Sequence, residues 1–236
     1  MTFCVGIKVN DGIVMLADTR IVRGSEQSYK QKLFKFEHAD KTLFTMTSGL
    51  RSVRDKTLLY IEETLREAPV TFDHFYQFAN LFGEQLRRVK SEDGPSLAAS
   101  NYSFNLNAII GGQLSADAEP KLFYVYPEGN WVESSPDTPY FMVGRTYYAK
   151  PILDLLLRSD TSLQSAAALA LLAFDATRAS VTDVGYPVDV TILPHGALTP
   201  SIQRYSEADV KNITDEWHAS LDHALRKLPT TLTADL

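Results

Sequence analysis

The chain has 236 residues, 44% hydrophobic and 22% charged, the balance of a globular protein and not of a disordered, collagen-like or low-complexity one. Its formal charge of -6 argues against a general attraction to nucleic acid or to an anionic membrane. Cys4 is the only cysteine, which excludes an intramolecular disulfide and a zinc site of several thiolates and fits a reducing, cytoplasmic setting.

Phe3, Val5, Ile7 and Val9 alternate on one face of a strand starting at residue 2, Asn10-Asp11-Gly12 has turn chemistry, and an apolar run over 13–17 ends at Asp18. This predicts a hairpin at the very start. Lys8 and Asp11 interrupt the stretch and no basic segment precedes it, so it does not read as a signal peptide. A polar excursion over 20–32 leads to a second hairpin, with strands over 33–36 and 42–46 around Ala39-Asp40-Lys41. Helical spacing then predicts a helix over 52–65, closed by Pro69, and another from Thr71 through Leu86, with Gly94-Pro95 beyond its end. Strands are expected over 103–110, 122–126, 131–133 and 139–143. Helices follow over 149–157 and from 163 to about 177, then a buried strand over 188–193 and a terminal amphipathic helix over about 207–228 with a short tail. The longest apolar run, 166–174, has about half of the ~20 residues that a membrane-spanning helix needs. Blocks of strands alternating with blocks of helices predict a layered α+β architecture, because parallel winding would alternate single elements. No linker or repeat divides the chain, and one domain over 1–236 is expected.

Thr2 stands one residue after the initiator, at the first step of a core strand. Removal of Met1, which a small second residue permits, would give it a free amine beside its hydroxyl, a nucleophile and a base on one residue. An α-amine with a pKa of about 7.7–8.0 titrates near neutrality, whereas a lysine amine at about 10.4 does not. Asp18 ends the strand that pairs with the one beginning at Thr2, which brings its carboxylate near the N-terminus. Lys32 lies just before the next strand. An ammonium there would lower the pKa of the Thr2 hydroxyl, and Asp18 would keep that ammonium charged and oriented.

Thr2, the run Leu16-Ala17-Asp18-Thr19-Arg20, Lys32-Leu33, Thr47-Ser48-Gly49 and Ile109-Ile110-Gly111-Gly112 together resemble a proteasome β-type subunit. Leu122-Phe123 with Tyr126-Pro127, Pro136-Asp137-Thr138-Pro139 and Lys150-Pro151-Ile152-Leu153-Asp154 are similar to the bacterial branch of that family called Anbu. The resemblance implies the N-terminal nucleophile hydrolase fold, a four-layer αββα sandwich of two antiparallel sheets between helical layers. It implies a self-assembling threonine-type peptidase in which Thr2 is nucleophile and, through its amine, base. Lys32 tunes Thr2, Asp18 orients Lys32, and the Gly49 backbone N–H donates to the oxyanion. Thr47, Ser48 and Arg51 would shape the pocket for the residue before the cleaved bond, with Arg51 favouring acidic side chains. No metal or organic cofactor is required. Homo-oligomers in stacked rings or an open spiral, peptide or unfolded-protein substrates and an undetermined ATPase partner are the expected associations, with no nucleic acid or membrane.

The chain departs from the family pattern in three places. Gly144 is followed by Arg145 where the family has a serine and the Anbu branch tends to glutamate, so the hydroxyl that helps the terminal amine is missing. Asp175 is assigned to the late aspartate, with Asp183 as a competing candidate because the stretch up to Val188 is long. The short polar excursion leaves Lys30 and Lys35 beside Lys32, which is preferred because it directly precedes the apolar run. The departure at Arg145 favours one alternative, an assembly with little or no proteolysis that acts as a scaffold; a small-amide hydrolase using the same nucleophile is a second. Cys4 reads as a core residue. His218 and His223, five apart, read as a solvated face. Phe72, Phe75, Phe78 and Phe82 read as helix packing, and Gly111-Gly112 lacks the further glycine of a dinucleotide fingerprint.

Overall fold

A computed structural model describes residues 2–38, 41–67, 72–197 and 200–228. Strands β1 (Phe3–Val9) and β2 (Gly12–Asp18) form the predicted hairpin at the centre of a five-stranded antiparallel sheet. Its neighbours are β10 (Tyr140–Gly144) beside β1 and β11 (Val188–Pro194) beside β2, with β12 (Ile202–Tyr205) at the edge. The second five-stranded sheet runs β5 (Leu33–His38), β6 (Lys41–Gly49), β7 (Leu106–Gly112), β8 (Lys121–Val125) and β9 (Trp131–Glu133), each antiparallel to the next.

Side-chain alternation explains why these strands read as continuous apolar runs. Phe3, Val5, Ile7, Val14 and Leu16 point into a core shared with Leu153, Ala166, Ala170 and Phe174, from helices α3 (Lys150–Leu156) and α4 (Leu163–Ser180). The intervening residues Cys4, Ile13, Met15 and Ala17 point the other way, against Phe44, Met46, Ile109 and Leu122 of the second sheet. The outer face of that sheet, with Leu43, Ile110 and Phe123, packs on Val53, Ile61, Phe78 and Phe82 from α1 (Arg51–Glu67) and α2 (Phe75–Ala99). Both sheets are thus buried on both faces, and the molecule is the expected four-layer sandwich, helices outside and two sheets within. Helix α5 (Glu207–Lys227) lies beside α4 and adds Val210 and Ile213 to its core.

Three sequence expectations change. The polar excursion is a separate hairpin, β3 (Arg20–Arg23) paired with β4 (Glu26–Tyr29); it carried no alternation because β4 is exposed on both faces. Helix α2 does not stop before Gly94-Pro95 but runs through them to Ala99. Its distal half is held from α1, where Lys56 reaches Glu92 at 2.7 Å and Asp93 at 2.8 Å, and the Ser100 and Asn101 N–H groups close the last turn. Strand β12 escaped notice because its four residues offer only an edge to pair. The expected boundary at Pro69 and the helix start at Thr71 lie outside the described residues. Helix α2 begins at Phe75, whose N–H donates to Asp117 at 2.9 Å. No helix of the described residues is long and apolar enough to cross a membrane.

Hydrogen bonds from Lys56, then Tyr60 and Arg88, hold the Glu92 carboxyl down at about 2. A carboxylate lowered by folding supports the fold above its ordinary range and loses that support as pH falls toward the folded value. We predict that Glu92→Gln lowers the melting temperature near neutrality and that the gap to the unmodified protein closes as pH falls from about 5 to about 2. A gap that is constant across this window in thermal melts would show that the charge of Glu92 is irrelevant to α1–α2 packing.

Candidate active site

The register of the first hairpin decides what surrounds Thr2. Cys4 lies opposite Ala17, so one step further the end of β2 meets the start of β1, and the Phe3 N–H donates to Asp18 Oδ1 at 2.8 Å. The same oxygen accepts from Lys32 Nζ at 2.7 Å. A second Lys32 hydrogen bond, at 2.7 Å, goes to the Arg20 carbonyl. Asp18 is fully buried and Lys32 is 3% exposed. Burial pushes the Asp18 carboxyl up from the ordinary carboxylate range, against the opposing pull of the Lys32 charge and of the Phe3 and Gly185 amides.

On its other side Thr2 is held by β10. Its carbonyl accepts the Arg145 N–H at 2.7 Å. Gly144 permits this contact: its φ is 92° and a Cβ there would stand 1.8 Å from the Thr2 oxygen. The Arg145 guanidinium in turn pairs with Asp183 at 2.9 Å. Burial works to raise the Asp183 carboxyl, but the hydrogen bond and charge of Arg145 prevail and hold it below its usual range.

Thr2 opens onto a cleft of about 740 Å³ whose lining includes Lys32, Thr47, Ser48, Gly49 and Arg51. Gly49 ends β6 with φ of 144°, and a Cβ would lie 2.2 Å from the Asn105 carbonyl oxygen, so only glycine fits where the chain turns from β6 into α1. The opposite wall is the β3–β4 hairpin, contributing Arg23, Glu26 and Lys30.

Seven of the eight site residues named from sequence therefore meet around Thr2, with Asp18 behind the cleft and the other six on its wall. Asp175 does not join them. It is buried in α4, where it pairs with Arg178 at 2.8 Å and His218 at 3.3 Å, and it is not among the residues lining the cleft. Asp183, the competing aspartate, is the one joined to Thr2 through Arg145. Lys35 is turned away and pairs with Glu37 on the surface, while Lys30 lies on the cleft wall. Met1 lies outside the described residues. His218 is engaged with Asp175 and not only with solvent. Burial pushes the Cys4 thiol up, which suits a packing role.

Sequence reasoning missed the hairpin wall and Asn105. The density of charge from Arg20 to Lys32 was the available sign of the first. Among the described residues no group of three or more His, Cys, Asp or Glu side chains is placed to hold a metal ion.

The sequence profile of the proteasome subunit family matches residues 2–193. The chain belongs to the proteasome subunit family. Proteasome subunit beta 1 of Ignicoccus hospitalis is 28% identical over 205 residues, covering 86% of this chain and 94% of its own. Two solved structures are more alike in sequence. Anbu, the ancestral beta-subunit, from Yersinia bercovieri is 30% identical with a TM-score of 0.87, over 97% of this chain and 98% of that one. The helical assembly of the Anbu complex from Pseudomonas aeruginosa gives 30% identity and a TM-score of 0.90, over 99% and 100%. The resemblance to proteasome β subunits and to Anbu thus holds, and the sandwich is that of the N-terminal nucleophile hydrolases.

In this proteasome-type frame the Asp18–Lys32 pair is almost wholly buried, so removing one member leaves the charge of the other uncompensated in a poorly solvated place. We predict that Asp18→Ala, which removes the carboxylate paired with a buried ammonium, destabilises the fold by about 3–5 kcal/mol. Urea unfolding would read this directly, and a loss below about 1 kcal/mol would mean that water reaches Lys32.

Proposed function

We propose that this protein is a self-assembling threonine-type hydrolase of peptide or other amide bonds, one domain over 1–236, in which Thr2 is the nucleophile once Met1 is removed. The observation that carries the reading is the buried Lys32–Asp18 pair, with Lys32 on the wall of the cleft into which Thr2 opens and Asp18 behind it. Thr2 Oγ attacks the substrate carbonyl while the Thr2 amine takes the hydroxyl proton. The Lys32 ammonium stabilises the developing negative charge on Oγ, and Asp18 fixes the ammonium in place. The carbonyl oxygen, now an oxyanion, accepts from the Gly49 N–H. Collapse breaks the C–N bond, the leaving amine takes the proton from the Thr2 ammonium, and an ester on Thr2 remains. Water, deprotonated by the same amine, attacks the ester and restores Thr2 with release of the acid.

Thr47, Ser48 and Arg51 shape the pocket for the residue before the cleaved bond in this reading. Asp183, held by Arg145, takes the place given from sequence to Asp175. The helical assembly of the Pseudomonas aeruginosa Anbu complex supports a homo-oligomer here, in a ring or a spiral, and the cytoplasm is the setting proposed for it, with which the single buried thiol is compatible. A second reading, an assembly with little proteolysis, is favoured by one observation. The salt bridge of Arg145 with Asp183 occupies the place where the family carries a hydroxyl.

The deciding experiment is an intact mass spectrum after incubation with a peptide epoxyketone, which reacts with both the hydroxyl and the free amine of an N-terminal threonine. Loss of Met1 with one adduct per chain is expected. Loss of Met1 without adduct would favour the scaffold, and retained Met1 would rule out this chemistry for that preparation. Thr2→Ala should abolish hydrolysis and leave assembly unchanged in size-exclusion chromatography. Lys32→Ala should lower kcat/KM roughly 10²–10³-fold, the range for losing one preorganised electrostatic partner. Turnover of Lys32→Ala equal to the unmodified protein, with Lys30→Ala impaired, would move the role to Lys30.

A further inference from the structure

The protein is acidic, with a net charge of -6, yet the cleft beside Thr2 has the opposite sign. Its lining carries the cations Arg23, Lys30, Lys32, Arg51 and Arg54 against a single carboxylate, Glu26. Such a local reversal concentrates field in a concave site and attracts negative ligands there.

The five cations are not equivalent. Lys32 is buried and committed to Asp18. Arg51 and Arg54 share Asp55, at 3.2 and 2.6 Å, and the Arg54 guanidinium also lies over the Phe34 ring at 5.3 Å. Among the described residues, Arg23 and Lys30 make no ion pair, although Arg23 stands directly across the ladder from Glu26. Both are exposed. Lys30 is anchored at the base of the hairpin, where its backbone N–H donates to the Thr19 carbonyl at 2.8 Å, one residue from Asp18. Arg23 is at the other end of β3, three residues from Arg20, about 10 Å along an extended strand. An extended chain leaving the reacting carbonyl along this wall would pass Lys30 first and Arg23 about three residues later.

Building on the hydrolase reading above, we propose that the cleft selects acidic acyl segments: a peptide with one Asp or Glu next to the cleaved bond, met by Lys30, and a second about three residues upstream, met by Arg23. The discrimination is modest in size because both cations face solvent. An exposed ion pair gives roughly three-fold, and because the free energies add and the factors multiply, the two together give about ten-fold. It is also salt-sensitive, since charges in water are screened beyond about 10 Å at 0.1 M.

The test uses fluorogenic peptides identical except for Glu, Gln or Lys at those two positions, with the assembled protein. The Glu peptide should have about ten-fold higher kcat/KM than the Gln peptide at low salt, with the ratio falling toward one near 0.5 M salt. In Arg23→Glu/Lys30→Glu the order should invert, the Lys peptide becoming the best of the three. Binding of dye-labelled Glu and Lys peptides to Thr2→Ala, followed by fluorescence anisotropy, separates this inference from the hydrolase reading. Hydrolysis with equal kcat/KM for Glu and Gln peptides would overturn the inference and leave the hydrolase standing. Preferential capture of the Glu probe by Thr2→Ala with no hydrolysis by the unmodified protein would do the reverse. Equal binding of both probes to Thr2→Ala would overturn the inference by itself.

Discussion

One carboxylate oxygen organises the end of the molecule where the cleft opens. Asp18 Oδ1 receives the first amide of β1 and the ammonium of Lys32, so three chain segments meet on a single atom. The end of β2, the start of β1 and the residue leading into β5 come from both sheets of the sandwich. Neither charge is tolerable there alone. A fully buried carboxylate is driven toward its neutral form, and a buried ammonium toward loss of its proton. Each offsets the charge of the other, with the Phe3 amide as a further partner of Asp18 and the Arg20 carbonyl as a further partner of Lys32. The pair therefore adds less to stability than its distance suggests, because its desolvation offsets much of its attraction. Its effect is to fix where a cation sits relative to Thr2.

The sandwich makes that placement possible. The inner faces of the two sheets meet through Cys4, Met15, Phe44, Met46 and Ile109, an apolar layer. At the edge of this layer the strands must come very close, and two positions without a side chain allow it. Gly144 lets β10 touch the Thr2 carbonyl, and Gly49 lets the end of β6 run against Asn105. Thr2, Gly49 and Asn105 from these contacts line the cleft. Its outer wall is different in kind: the β3–β4 hairpin pairs with neither sheet, and a chain with little apolar surface to bury is free to carry whatever charge a ligand requires.

The central strands and most helices were legible because burial on both faces leaves long apolar runs, as at Ile13 to Ala17. The site was legible as well, since hairpin register alone brings Asp18 to the start of β1 and Lys32 sits at a polar-to-apolar boundary. What escaped has a common cause. The β3–β4 hairpin, β12 and the distal turns of α2 are set by partners remote in sequence and not by their own periodicity. In α2, Lys56 and Tyr60 of the preceding helix stabilise a segment that Gly94 and Pro95 would break in isolation. Asp175 shows the same limit. Its place in α4 makes it a plausible late aspartate by count, but its side chain faces α5, where Arg178 links it further to Glu207 at 3.1 Å. Chain distance along a loop of variable length could not distinguish it from Asp183.

The substitution at Arg145 is best understood through what it neutralises. Asp183 is joined by Arg145 to the backbone of Thr2. An unpaired carboxylate in that position would favour the protonated form of any amine on Thr2 and raise its pKa, taking it out of use as a base near neutrality. An unpaired arginine would do the opposite and leave too weak a base. The pair presents a dipole of nearly zero net charge, and the partial burial of Asp183 keeps the two together. An amine beside it would feel little net charge from the pair. A hydroxyl in this place adjusts the amine through one hydrogen bond. A salt bridge reaches a similar balance by cancellation, while the backbone N–H of residue 145 keeps its contact to the Thr2 carbonyl whatever side chain stands there.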